Sequence, residues 1–173
     1  MTMTTYDLFF TGRNDPRSCV IIGEDTKPIY FCFETPTERA ATPINTSTLI
    51  YRNQKDICAK LEWSHNNSLG NVIIGNRRVP MTHLLMSGSV ANARSFLSVD
   101  GSYYEWRRNT DDPMSYDLYT AQNMRIAVFR RYARQTVVGP SHGLFQYTFN
   151  HDNLLLESLL ALCLNRWIDV HGV

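Results

Sequence analysis

The chain has 173 residues, with 17 Lys and Arg against 16 Asp and Glu, a formal net charge of +1 and 43% hydrophobic residues. That length supports one domain, spanning 1–173, with a substantial core. Near-neutrality gives no reason to expect nucleic acid as an obligatory partner.

The opening MTMTTYDLFFTGRND has neither a basic leader nor an apolar run of signal-peptide length. A cytoplasmic protein is therefore expected, with peripheral membrane attachment compatible and the sequons at Asn45 and Asn66 unmodified. Cys19, Cys32, Cys58 and Cys163 form no CxxC pair, lie in apolar runs and read as reduced core thiols.

From residue 6 to 149 the chain breaks into short β-type runs bounded by turn residues. Residues 6–10, 18–23 and 29–34 are the first three, separated by Gly12-Arg13-Asn14-Asp15-Pro16 and by a turn at 24–28. A crossing loop at 35–45, with Pro36 and Pro43, leads to strands at 47–52 and 56–64. In the latter, Ile57, Ala59, Leu61 and Trp63 alternate with Cys58, Lys60 and Glu62, the period of a strand with one buried face. Strands at 71–74 and 77–79 flank Gly75-Asn76, and a helical turn at 81–86 follows Pro80. Runs 94–99 and 102–107 flank Asp100-Gly101, the strongest hairpin signal in the chain. Runs 116–120 and 124–130 come next, residues 132–141 are mixed, and 143–149 is the last strand.

Residues 153–170, NLLLESLLALCLNRWIDV, are the one long helical segment. Asn150, Asp152 or Asn153 can cap its start, and Gly172 lies where a left-handed residue is wanted. Apolar side chains cover most of the cylinder, leaving a narrow strip of Ser158, Asn165, Arg166 and Asp169 with Glu157 to one side. A helix apolar nearly all round is a core element or a membrane span. Its unbroken apolar run is far short of the about 20 residues a bilayer needs, and Glu157, Asn165 and Arg166 would be costly in lipid. A buried helix with no transmembrane span follows.

The expected fold is mainly β: an antiparallel barrel of about twelve strands (6–149) enclosing this helix. Large barrels have room for one, and a helix over 153–170 spans roughly 25 Å, close to the height of a tilted six-residue strand. A sandwich with the helix across one end is the alternative.

Pro28-Ile29-Tyr30 leading to Thr35-Pro36, the Glu62-Trp63 strand, Asp100-Gly101-x-x-Tyr104-x-Trp106-Arg107 and an apolar closing helix occur in this order. Together they resemble a family of small basidiomycete proteins carrying one domain of unknown function. That family is similar to the tubby C-terminal-like group, which includes phospholipid scramblases and LURP-one-related proteins. The resemblance implies a twelve-stranded barrel threaded by its C-terminal helix. It also raises recognition of phosphoinositide head groups, although no basic residue here matches a pocket residue of that group.

Three arginine clusters, Arg77-Arg78, Arg107-Arg108 and Arg130-Arg131 with Arg134, lie at strand ends or in adjoining loops. Meeting at one rim, they would make an anion site, since guanidinium forks match phosphate oxygens. Paired with Asp111, Asp112 and Asp117, they would be solvated surface. The five histidines, His65, His83, His142, His151 and His171, show no metal-ligand spacing. There is no GxSxG elbow and no phosphate loop, so neither catalytic residue, metal nor cofactor is expected. Glu62 and Glu105 beside tryptophans read as structural cross-strand partners. The expected role is a non-catalytic binding or scaffold module whose rim engages an anionic lipid head group or a protein. The alternative is a small hydrolase with a site in a barrel cleft.

Overall fold

The computed structural model describes residues 4–23, 28–36 and 46–172. The turn expected at 24–28 (except Pro28), the loop at 35–45 (except Thr35 and Pro36) and Asn45 lie outside the described residues. The described residues form fourteen strands and one α-helix, α1 (Asp152–His171). The first seven strands are β1 (Tyr6–Thr11), β2 (Cys19–Gly23), β3 (Tyr30–Glu34), β4 (Ser47–Arg52), β5 (Asp56–Glu62), β6 (Asn71–Ile74) and β7 (Arg77–Pro80). After a 3-10 turn, Met81–Leu84, come β8 (Met86–Ser87), β9 (Ala93–Leu97), β10 (Tyr103–Arg108), β11 (Tyr116–Thr120), β12 (Arg125–Arg131), β13 (Gln135–Thr136) and β14 (Gly139–Tyr147).

One antiparallel ladder runs β7-β6-β5-β4-β3-β2-β1-β14-β12-β11-β10-β9-β8, with β13 paired beside it to β14. The ladder is open, so the closed barrel of about twelve strands is not formed. Twelve antiparallel steps separate β7 from β8, which therefore point the same way. A hydrogen-bonded closure would have to be parallel, and parallel neighbours need a crossover of a dozen or more residues. Only residues 81–85 join these two strands. The 3-10 turn fills the seam instead, burying Met81 and Leu84 and packing on α1, β7 and β9.

Inward side chains from both arms of the ladder form a single core with the helix, among them Leu8, Ile21, Phe31, Ile50, Leu61, Val72, Phe96, Trp106 and Phe145. Every residue of α1 from Leu154 to Trp167 is buried, Glu157, Ser158, Asn165 and Arg166 included. Most polar side chains on the helix meet a partner, whereas the buried Ser158 Oγ meets none among the described residues. Glu157 accepts from Ser98 Oγ (2.6 Å) and Val99 N (3.2 Å). Asn165 Oδ1 accepts from Arg94 (2.8 Å), and Asp169 accepts from Arg94 (3.0 Å) and Tyr116 Oη (2.8 Å). Trp106 Nε1 donates to the Ser158 carbonyl (3.0 Å). These bonds pin the rotation and height of a helix whose leucines alone would fit many settings.

Gly172 caps α1 in the left-handed region (φ 69°), its N–H on the Ile168 carbonyl at 2.7 Å. At the other end the N-cap is His151, with no side-chain cap bond, rather than Asn150, Asp152 or Asn153; Asp152 faces Arg52 at 3.3 Å instead. Ile57 departs from its expected buried face and is 56% exposed. The β4–β5 ladder shifts register between Ile50 and Tyr51, which pair with Ala59 and Ile57. A bulge breaks the alternation that held for Ala59 and Leu61.

Candidate functional site

The expected anion site rested on seven arginines, and the ladder does not carry them to one rim. Arg77 reaches α1 at Glu157 (3.7 Å), whereas Arg108 reaches it at Asp169 (3.7 Å). Those two acids are twelve helical residues apart, roughly 18 Å. Arg107-Arg108 and Arg130-Arg131 do lie at the same end, on either side of β11, because Tyr116 pairs with both Arg108 and Phe129.

Five of the seven side chains have a carboxylate partner among the described residues. Arg78 bonds Glu62 (2.5 Å) and Arg130 bonds Asp117 (2.6 Å). Arg107 holds Glu105 (2.7 Å) while lying 3.8 Å over the Tyr119 ring. Arg77 and Arg108 make the longer contacts to Glu157 and Asp169 already described. Of the three acids expected as partners only Asp117 plays that role; Asp112 accepts from Ser115 Oγ (2.6 Å) and Met114 N (3.1 Å).

Arg131 and Arg134 belong to a different setting, in the stretch that reads as mixed in sequence. The β12–β14 ladder ends at Arg131 and Gly143. Beyond it Ser141 stitches the strands together: its N–H bonds the Arg134 carbonyl (2.7 Å). Its Oγ accepts from Arg134 N (2.9 Å) and donates to the Tyr132 carbonyl (2.8 Å). Thr136 then pairs with Gly139 across the two-residue loop Val137-Val138, with Gly139 taking the positive φ (124°) that a side chain would resist.

The tip is the most exposed apolar point described on the molecule. Val137 is 96% exposed, Val138 52% and Tyr132 43%, and Arg131, Ala133, Arg134 and Gln135 are exposed around them. Hairpin tips ordinarily carry Gly, Asn, Asp or Ser; two valines there serve no turn geometry. Beneath the tip a cleft of about 360 Å³ is lined by Phe9, Ile22 and Arg134, whose guanidinium lies 5.1 Å over the Phe9 ring. The only sequence signal for this element is an apolar pair, Val137-Val138, in an otherwise polar stretch.

The residues weighed for chemistry are occupied structurally. Burial pushes the Cys19 thiol up to about 12, and burial likewise raises Cys32, Cys58 and Cys163. All four are free and favour the thiol over the nucleophilic thiolate. Burial opposes ionisation of Glu105, yet hydrogen bonds from Arg107 and Ser89 hold its carboxyl below the usual range. Glu62 is shared by Lys60 (3.4 Å) and Arg78. Among the described residues no three His, Cys, Asp or Glu side chains are grouped to hold a metal, and no helix is long and apolar enough to cross a membrane.

A model described as a family of unknown function (DUF6593) matches residues 14–152. No curated protein and no solved structure matches the chain.

Proposed function

Because the chain belongs to this family of unknown function, we propose from its own geometry that it is a non-catalytic binding module. It docks on an anionic lipid surface through the 131–138 hairpin. The observation that carries this reading is Val137, 96% exposed at a tip shared with Val138 and flanked by Arg131 and Arg134. Apolar residues at a projecting tip enter the acyl boundary while neighbouring cations meet anionic head groups.

Burying one full and one half-exposed valine, with about 1 kcal/mol per arginine, totals about 5 kcal/mol gross. That is the scale of weak, reversible attachment. The resemblance to tubby-like proteins, including enclosure of the helix in barrel fashion and phosphoinositide as a favoured head group, belongs to this reading. So does a cytoplasmic setting, which suits four free thiols. The raised thiols and ion-paired glutamates support a role without catalysis.

Co-sedimentation with phosphatidylcholine vesicles, alone or with phosphatidylserine or a phosphoinositide, tests the proposal. Binding is expected with the anionic vesicles only and is weakened by salt. It is expected to be lost in both Val137→Ser/Val138→Ser and Arg131→Glu/Arg134→Glu. No binding at any composition removes the lipid reading and leaves a protein as the hairpin's partner. Equal binding by parent and variants places the surface elsewhere.

A further inference from the structure

At the C-terminal end of α1 a cleft of about 470 Å³ opens between the helix, the turn after β1 and the loop before β11. Met114, Trp167 and Val170 form its apolar side; Asn14, Arg108 and Arg166 are its main polar groups. Arg166 is unusual. It is only 4% exposed and donates from Nη2 to Asn14 Oδ1 (3.0 Å). Among the described residues it has no carboxylate within ion-pair distance. Its guanidinium lies 4.6 Å over the Phe129 ring and 6.0 Å from that of Phe10.

A buried cation costs several kcal/mol unless paired. Ring faces and one amide oxygen offset part of this, but among the described residues no second acceptor bonds the five-donor fork. Such a group lining a cleft is a site for an anion that the described residues do not supply.

The surroundings narrow that anion's charge. Asp15 also lines the cleft. Asp169, the neighbouring acid, is held by Arg94 and Tyr116 and lies 3.7 Å from Arg108. The C-terminal carbonyls of α1 add negative potential at this end. A phosphate dianion or polyphosphate would meet those charges, whereas one planar carboxylate matches the guanidinium fork. The apolar side and a volume within the small-molecule range call for an apolar body.

We infer that the cleft at the C-terminal end of α1 binds an organic monocarboxylate with an aliphatic or aromatic body. Arg166 takes the carboxylate, Arg108 stands beside it, and Met114, Trp167 and Val170 take the body. This site is separate from the 131–138 hairpin and stands whether or not the chain meets lipid.

Titration of the whole chain with hexanoate, benzoate, hexanol and inorganic phosphate, read by tryptophan fluorescence and melting temperature, tests it. Saturable quenching or enhancement with a raised melting temperature is expected for at least one acid. Hexanol and phosphate are expected to bind about tenfold or more weaker. Arg166→Lys, which keeps charge but loses the fork, and Met114→Trp, which fills the cleft, are each expected to weaken the acid by about tenfold or more. Met114→Trp decides the matter if Arg166→Lys does not fold. No saturable response to either acid at millimolar concentration overturns the inference, as does phosphate binding as tightly as the acids. Undiminished binding in Met114→Trp overturns it too.

Discussion

Glu157 and His142 are both ionisable groups inside the fold, and burial moves them in opposite directions on the pH scale. Burial pushes the Glu157 carboxyl above its ordinary range despite hydrogen bonds from Ser98 and Val99. The folded chain keeps this proton where the unfolded chain has lost it. Its contribution is therefore fully present below the ordinary value of about 4.3 and is lost as pH rises through the folded value. Glu157→Gln keeps an acceptor for the Val99 N–H and lets Ser98 Oγ accept in turn. Urea midpoints should show this variant gaining on the parent between acid and neutral pH; a parallel course would contradict the assignment. Glu157→Ala leaves Ser98 Oγ and the Val99 N–H without their acceptor and should cost about 1–3 kcal/mol.

For His142, burial first and the nearby Arg166 second hold the pKa below 6.5. The unfolded chain then takes up a proton that the folded chain refuses. Stability should fall as pH drops below about 6.5 and level off beneath the folded value. His142→Gln should remove that part of the acid sensitivity, and unchanged midpoints against pH would rule it out.

At the scale of elements, α1 and the 131–138 hairpin are opposites. The helix contributes apolar burial of about 20 kcal/mol gross, much of it offset by chain ordering. Without it the inward faces of strands in both arms of the ladder have nothing to cover. A chain ending at Phe149 should therefore lack a cooperative thermal transition by circular dichroism. A monomeric 1–149 fragment with dispersed NMR signals would show the helix to be an accessory. The hairpin tip packs on little, with Val137 96% exposed, so Val137→Ser/Val138→Ser should change stability by less than about 0.5 kcal/mol. A larger loss would mean that the valines are structural and not a docking surface.

At the scale of the whole molecule, the open ladder predicts a gradient of local stability. Amide exchange should be fastest in β7 and β8 and slowest in β1, β14 and β12, which lie in mid-ladder with neighbours on both sides. Uniform exchange would point to a seam closed in solution. Arg77, Arg78 and Pro80 sit on the β7 edge, the kind of residues that discourage edge-to-edge association.

What the sequence determined by itself was local. Turn chemistry and period-2 alternation marked nearly every strand, β11 to the residue, and the near-continuous apolar cylinder of α1 required burial whatever surrounded it. These depend on steric and solvation preferences within a few residues. Only the tertiary structure decided the rest. An antiparallel path of thirteen strands leaves β7 and β8 parallel across a five-residue link, and the ladder stays open there, an outcome invisible until all pairings are known. A bulge turned Ile57 outward against its pattern. The arginine clusters, adjacent in sequence, parted because successive strand residues face opposite ways and strand ends lie at opposite ends of the helix. Arg166, read as part of a polar strip, became a buried cation at a cleft because residues from β1 to β12 enclosed it, and no local pattern encodes that enclosure.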